Sequence, residues 1–75
     1  MTRLGGYSGT GVVRAFQSAG WKVVRKKGSH VCMEKPGHES ILTIPVHKGK
    51  DVKKGTLRNL IKDAEMTVDE FLKCI

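Results

Sequence analysis

Residues 21–44 read Trp21-Lys22-Val23-Val24-Arg25-Lys26-Lys27-Gly28-Ser29-His30-Val31-Cys32-Met33-Glu34-Lys35-Pro36-Gly37-His38-Glu39-Ser40-Ile41-Leu42-Thr43-Ile44. Runs rich in β-branched and aromatic residues alternate here with turn residues, which is the pattern of short strands joined by tight connections. A first strand over 21–26 meets a turn at Lys27-Gly28-Ser29, and a second strand follows over 30–35. Pro36-Gly37-His38-Glu39 then turns the chain into a third strand over 40–44, which Pro45 ends or pushes to a sheet edge because proline cannot donate to a ladder. The expectation is a three-stranded antiparallel meander. Its inward face stays undecided, because Val23 and Val24, Val31 to Met33, and Ile41 to Ile44 each put apolar residues on both sides.

Helical periodicity flanks the meander on both sides. Ser8 is placed to cap a helix running to about Ala19, with Val12, Val13, Phe16 and Ala19 as its apolar stripe and Gly20 where a left-handed residue closes a helix. Gly9 and Gly11 weaken its first turn. On the other side, Leu57, Leu60, Ile61 and Ala64 recur at helical spacing from a start near Lys54 or Gly55. Thr67-Val68-Asp69-Glu70 is a capping-box pattern that opens a short last helix carrying Val68, Phe71 and Leu72. Residues 1–7 read as a flexible arm, and 8–75 as one α+β domain with both long helices on one face of the sheet and the other face open to a ligand or partner.

The chain has 75 residues, 14 Lys and Arg against 7 Asp and Glu, a net charge of +7 and an apolar fraction of 39%. That is one small, compact domain with a polyanionic partner as the first expectation, and nucleic acid is the better fit. The two cysteines, Cys32 and Cys74, form no CxxC pair and no disulfide framework, and no apolar run has the length of a signal peptide or a membrane span. Reduced thiols in the cytoplasm follow as the expected state.

His30 is the first candidate for chemistry, because a hairpin turn delivers its imidazole to a strand start among Arg25, Lys26 and Lys27. An imidazole moves protons near neutral pH, and surrounding cations hold a phosphate and stabilise charge that develops on it. A surface histidine with no role is the plain alternative. His47, two residues past Pro45, is open to the same two readings, as a proton partner or as a loop residue that donates to phosphate, whereas His38 in its Pro-Gly turn reads as solvated. The run Lys48, Lys50, Lys53 and Lys54, with Thr56 and Arg58 at a helix start, offers phosphates both side-chain cations and backbone amides. It reads equally as a solvated basic loop. His30, Cys32, His38 and His47 lack the short-range spacing of a zinc site. Cys32 has no neighbouring base to make it a nucleophile.

Taken in order, Gly20-Trp21, Val23-Val24-Arg25, Gly28-Ser29-His30, Thr43-Ile44-Pro45-Val46-His47 and Lys54-Gly55-Thr56-Leu57 resemble the HicA family of mRNA interferase toxins, over about residues 8–72. The resemblance implies a fold like a double-stranded-RNA-binding domain and a toxin of a type II toxin-antitoxin pair. It implies an endoribonuclease that cleaves mRNA and needs no cofactor, silenced by a cognate HicB-like antitoxin that covers the active-site face, with neither membrane nor DNA as a partner by itself. The family's catalytic histidine falls on His30, with Gly28 and Ser29 shaping its turn. Arg25, Lys26, Lys27, Ser29, His47, Lys48, Lys50, Lys53, Lys54 and Thr56 are the expected substrate-binding residues. A non-catalytic RNA-binding module of the same fold is the alternative from another class. An inactive relative that keeps only the antitoxin contact is a third.

Overall fold

The structure is a computed structural model that describes residues 5–75. Six elements follow in the order α1 (Gly9–Ser18), β1 (Lys22–Lys27), β2 (His30–Glu34), β3 (Leu42–Pro45), α2 (Lys54–Asp63) and α3 (Val68–Lys73). The strands form one antiparallel sheet in the order β1-β2-β3, so the expected meander is present. Its strand bounds differ from the sequence reading in physical detail. Trp21 leaves the strand for the core, where it is almost fully buried, and Lys27 is the last residue of β1 and no longer part of the turn. β3 starts only at Leu42 and keeps Pro45, which the outer position of the strand permits because a proline has no N–H to offer a further neighbour.

The ambiguous inward face is settled by burial. Val31 and Met33 of β2 and Leu42 and Ile44 of β3 are buried under the helices, while every residue of β1 is exposed. Val12, Ala15 and Phe16 of α1 and Leu57, Leu60 and Ile61 of α2 close over them, and Phe71 of α3 packs on Phe16 at 5.2 Å between ring centroids. Each fully buried Leu or Phe contributes about 1.5–3 kcal/mol relative to exposure. Ala15 takes the central place expected for Val13, which is only partly buried. Among the described residues the other face of the sheet carries no helix, and the architecture is consistent with a double-stranded-RNA-binding-domain-like fold.

The helix ends follow their sequence signals. Ser8 Oγ accepts from the Gly11 amide at 3.1 Å, and Gly20, at φ 101°, lets the Gly20 and Trp21 amides reach back to the carbonyls of Gln17 and Phe16. α2 ends by the same device with Glu65 in the left-handed position, at φ 57°, a place that no glycine marks. Of the stretch read as an arm, residues 1–4 lie outside the described residues. Tyr7 departs from that reading: its ring meets Phe71 edge-on at 6.3 Å and its carbonyl accepts from the Val52 amide at 2.8 Å, so apolar burial and a backbone bond tie it to the domain.

Candidate functional site

The β1–β2 hairpin turns through Gly28 and Ser29. Gly28 lies at φ 57°, and positive φ at the first of two turn residues is what a type II′ turn requires. Lys27 faces His30 across the hairpin, and His30 faces Pro45 on its other side. One step further, the Val46 amide donates to the Ser29 carbonyl at 2.6 Å. The start of β2 is therefore held between two strands. α1 braces it from behind, because a Cβ on Gly9 would stand 2.6 Å from the Pro45 carbonyl oxygen, and only glycine permits so close an approach.

The hairpin register decides which cations share the face of His30, and a bulge then resets the facing of the residues before them. Val23 pairs with Met33 and Arg25 with Cys32, so Val24 is the extra residue of β1. Beyond it the alternation is reversed. Arg25 and Lys27 join His30 and Cys32 on the open face of the sheet, while Lys26 pairs with Val31 on the helix side. There Lys26 borders a groove with Thr10 and Val13. The expected trio of Arg25, Lys26 and Lys27 is thus divided, with Lys26 apart. His30 itself is exposed, and among the described residues no side-chain hydrogen bond or ion pair engages its imidazole.

The basic run after β3 is anchored more firmly than a solvated loop. Asp51 bridges to Ser8, Val52 is buried, and Gly49 at φ 75° helps to turn the chain so that the Lys50 amide reaches the His47 carbonyl. His47, Lys50, Lys53 and Thr56 come together with Pro45 and Asp51 around a hollow of about 370 Å³ at the start of α2. Lys53 occupies the N-cap and its side chain makes no capping bond, so the first amides of α2 have no side-chain acceptor there. Three expected members fall outside this group, among them Arg58, exposed on α2. Lys48 is exposed in the preceding turn, and the stem of Lys54 runs along Gly5. Ser29 contributes its carbonyl to the β3 contact.

The open face carries residues that the sequence reading did not select. Thr43 stands opposite Cys32, with Oγ1 3.9 Å from Sγ, and Glu34 stands opposite Lys22. Alternation finds Thr43 once Leu42 and Ile44 are known to point inward. His38 differs from its reading as a solvated turn residue: it is half-buried, its ring lies 5.3 Å from that of Trp21, and its Nδ1 is 3.8 Å from Glu65 Oε2. Its setting is structural. Among the described residues no three His, Cys, Asp or Glu side chains group as a metal site, and no helix is long and apolar enough to cross a membrane.

The family model of HicA, the toxin of bacterial toxin-antitoxin pairs, matches residues 9–66 of the chain. The chain belongs to the HicA toxin family. The match runs from the first residue of α1 through the turn after α2, and so takes in the hairpin of His30, the bulge and the basic loop. As a HicA toxin the chain is the toxin partner of a toxin-antitoxin pair, in a family that is generally one of ribonuclease toxins, and membership implies a cognate antitoxin. No curated protein matches the chain.

Proposed function

We propose that this HicA chain is an endoribonuclease that cleaves mRNA without a metal ion, with His30 as the group that moves the proton. The single observation that carries the reading is the placement of an exposed imidazole at a braced strand end, on an open sheet face that also bears Arg25 and Lys27. RNA holds its own nucleophile. The 2′-oxygen attacks the adjacent phosphorus, the P–O5′ bond breaks, and the products are a 2′,3′-cyclic phosphate and a 5′-hydroxyl. One proton leaves the 2′-hydroxyl and one reaches the 5′-oxygen, and His30 serves one of these transfers as general base or general acid. Arg25 and Lys27 stabilise the extra negative charge on the phosphate in flight.

The remaining cations extend the binding surface. Lys50 and Lys53, with His47 and Thr56, hold the backbone on the far side of Pro45, and Ser29 keeps the hairpin in place through its carbonyl. Lys26, Lys48 and Lys54 add long-range attraction. The reaction takes place in the cytoplasm with the mRNA pool, and a HicB-like antitoxin with an acidic surface silences it by covering the open face.

The test is cleavage of a long unstructured RNA by the purified chain and by His30→Ala, each with and without EDTA. The expected result is cutting that survives chelation and falls at least about 100-fold in the variant, the lower end of what a general acid or base supplies. Equal cutting by His30→Ala sinks the assignment of the histidine, and loss of cutting in EDTA sinks the metal-free mechanism. RNA binding with no cutting by the unaltered chain replaces the enzyme with a binding module.

A further inference from the structure

The open face has a second half, beyond Cys32 from His30. Val24 and Ile41 are 52% and 55% exposed, high for large aliphatic side chains, and they stand together with Arg25, Cys32 and Glu34 around one shallow hollow of about 300 Å³. The bulge creates it, since Val24 and Arg25 both lie opposite Cys32. Along β2 the hollow begins two residues from His30, roughly 7 Å at the rise of a strand, and Glu34 closes it at roughly 13 Å. Val24 and Ile41 give it aliphatic walls, Arg25 and Cys32 line its near end, and its far end is a carboxylate. Glu34 is also the lone acid on the strands of a face that otherwise carries Arg25, Lys27 and Lys22. A carboxylate there opposes phosphate binding, and no ion pair ties it to Lys22 among the described residues. It suits a different part of a nucleotide.

We infer that this hollow is a nucleobase subsite, and that Glu34 selects bases with an exocyclic amine on the Watson–Crick edge. The inference rests on the ribonuclease reading, since it takes a phosphate at His30 as the start of the track. With a phosphate between Lys27 and Arg25, the attached base reaches along β2 and lays its flat faces against Val24 and Ile41. Single-stranded RNA is read in this way, by contact with base faces and hydrogen bonds to base edges. An ionised carboxylate only accepts, so it pairs with the amine of adenine, cytosine or guanine. Uracil offers a single imino N–H between two carbonyls, which the carboxylate repels. Glu34 is thus a specificity-determining residue and takes no part in moving protons.

The probe is a set of fluorescently labelled 2′-O-methyl hexanucleotides of adenine, cytosine and uracil, which cannot be cut because the nucleophile is blocked. Binding anisotropy is measured for the full chain, Glu34→Gln and Ile41→Ala, with melting temperatures as the control for folding. The unaltered chain is expected to prefer adenine and cytosine over uracil by about fivefold, the worth of one net hydrogen bond. Glu34→Gln, whose amide both donates and accepts, is expected to bring the three affinities within about twofold of one another. Ile41→Ala weakens the adenine and cytosine oligomers most. Base preference absent from the unaltered chain, or retained in Glu34→Gln, overturns the inference. So does Ile41→Ala with all three affinities unchanged, which assigns the hollow to a protein partner. The probe is uncuttable, so this outcome is read independently of the cleavage test of His30.

Discussion

Lys26 and Lys27 are neighbours with the same charge and both are exposed, yet strand alternation puts them on opposite faces of the sheet, and the hairpin register gives Lys27 the face of His30. Lys27 stands across from His30, and Lys26 across from Val31. Lys27→Ala is therefore expected to lower RNA affinity and cleavage by about fivefold, the loss of one net contact to phosphate, and Lys26→Ala by less than about twofold. Parallel binding and rate measurements on the two variants check it, and equal losses would remove the face of the sheet from the account of the site. The sequence shows His30 on its turn and the cations around it, because glycine at a two-residue hairpin is a local signal. It does not show the partition of those cations, because Lys27 reads as part of the turn and only its pairing with His30 fixes the face that each cation takes. Nor does it show the bulge, which adds one residue without changing composition; in Val23-Val24-Arg25 either valine fits either face, and the bulge is what sets Lys22 opposite Glu34 on the open face. Gly9 is a second case, since it reads as a weak first turn and is in fact the one residue type that lets α1 touch Pro45 and Val46.

The helices were legible at their caps, because capping is chemistry between residues three or four apart. Ser8 and Thr67 hold their amides as the sequence implies, and α3 is closed by a full capping box in which the Thr67 amide donates to Glu70 Oε1 at 2.8 Å and the Glu70 amide to Thr67 Oγ1 at 3.1 Å. The C-terminus of α2 was not legible, because Glu65 fills a left-handed position that glycine normally marks. Two bonds from Thr67, the backbone one first, hold the Glu70 carboxyl below its ordinary value. A carboxyl whose value is lowered on folding stabilises the native state in full above its unfolded value, and that contribution disappears as pH falls through the lower folded value. Lowering the pH from neutral through the acidic carboxylate range is thus expected to loosen α3 from Phe16 and Tyr7. Glu70→Gln should flatten this part of the pH dependence, and melting temperatures between neutral and strongly acidic pH read it out. A dependence as steep in Glu70→Gln as in the unaltered chain would place the acid sensitivity elsewhere.

Across the whole molecule the charge is sorted by position. Cations occupy the open sheet face and the loop before α2, on either side of Pro45, while Asp63, Glu65, Asp69 and Glu70 lie at the end of α2 and in α3. A chain of net charge +7 with four of its seven acids set apart, leaving only Glu34 and Asp51 among the cations of the sheet face and the loop, draws a polyanion to one side. That arrangement follows from topology, since β3 carries the chain from the edge of the His30 site directly to the start of α2. The hairpin and the loop then act as one track with two stations. Single-stranded binding loses about 0.7 of a power of salt concentration for each phosphate neutralised, so engagement of Arg25, Lys27, Lys50 and Lys53 predicts a slope of about −3 for log affinity against log salt. Lys50→Ala combined with Lys53→Ala should bring that slope to about half, because two of the four ion-releasing contacts are gone while His30 and its hairpin are untouched. Titrations of an uncuttable RNA from low to moderate salt measure both slopes. An unchanged slope in the double variant would confine the RNA to the sheet face, and the hollow before α2 would then have to serve the antitoxin instead.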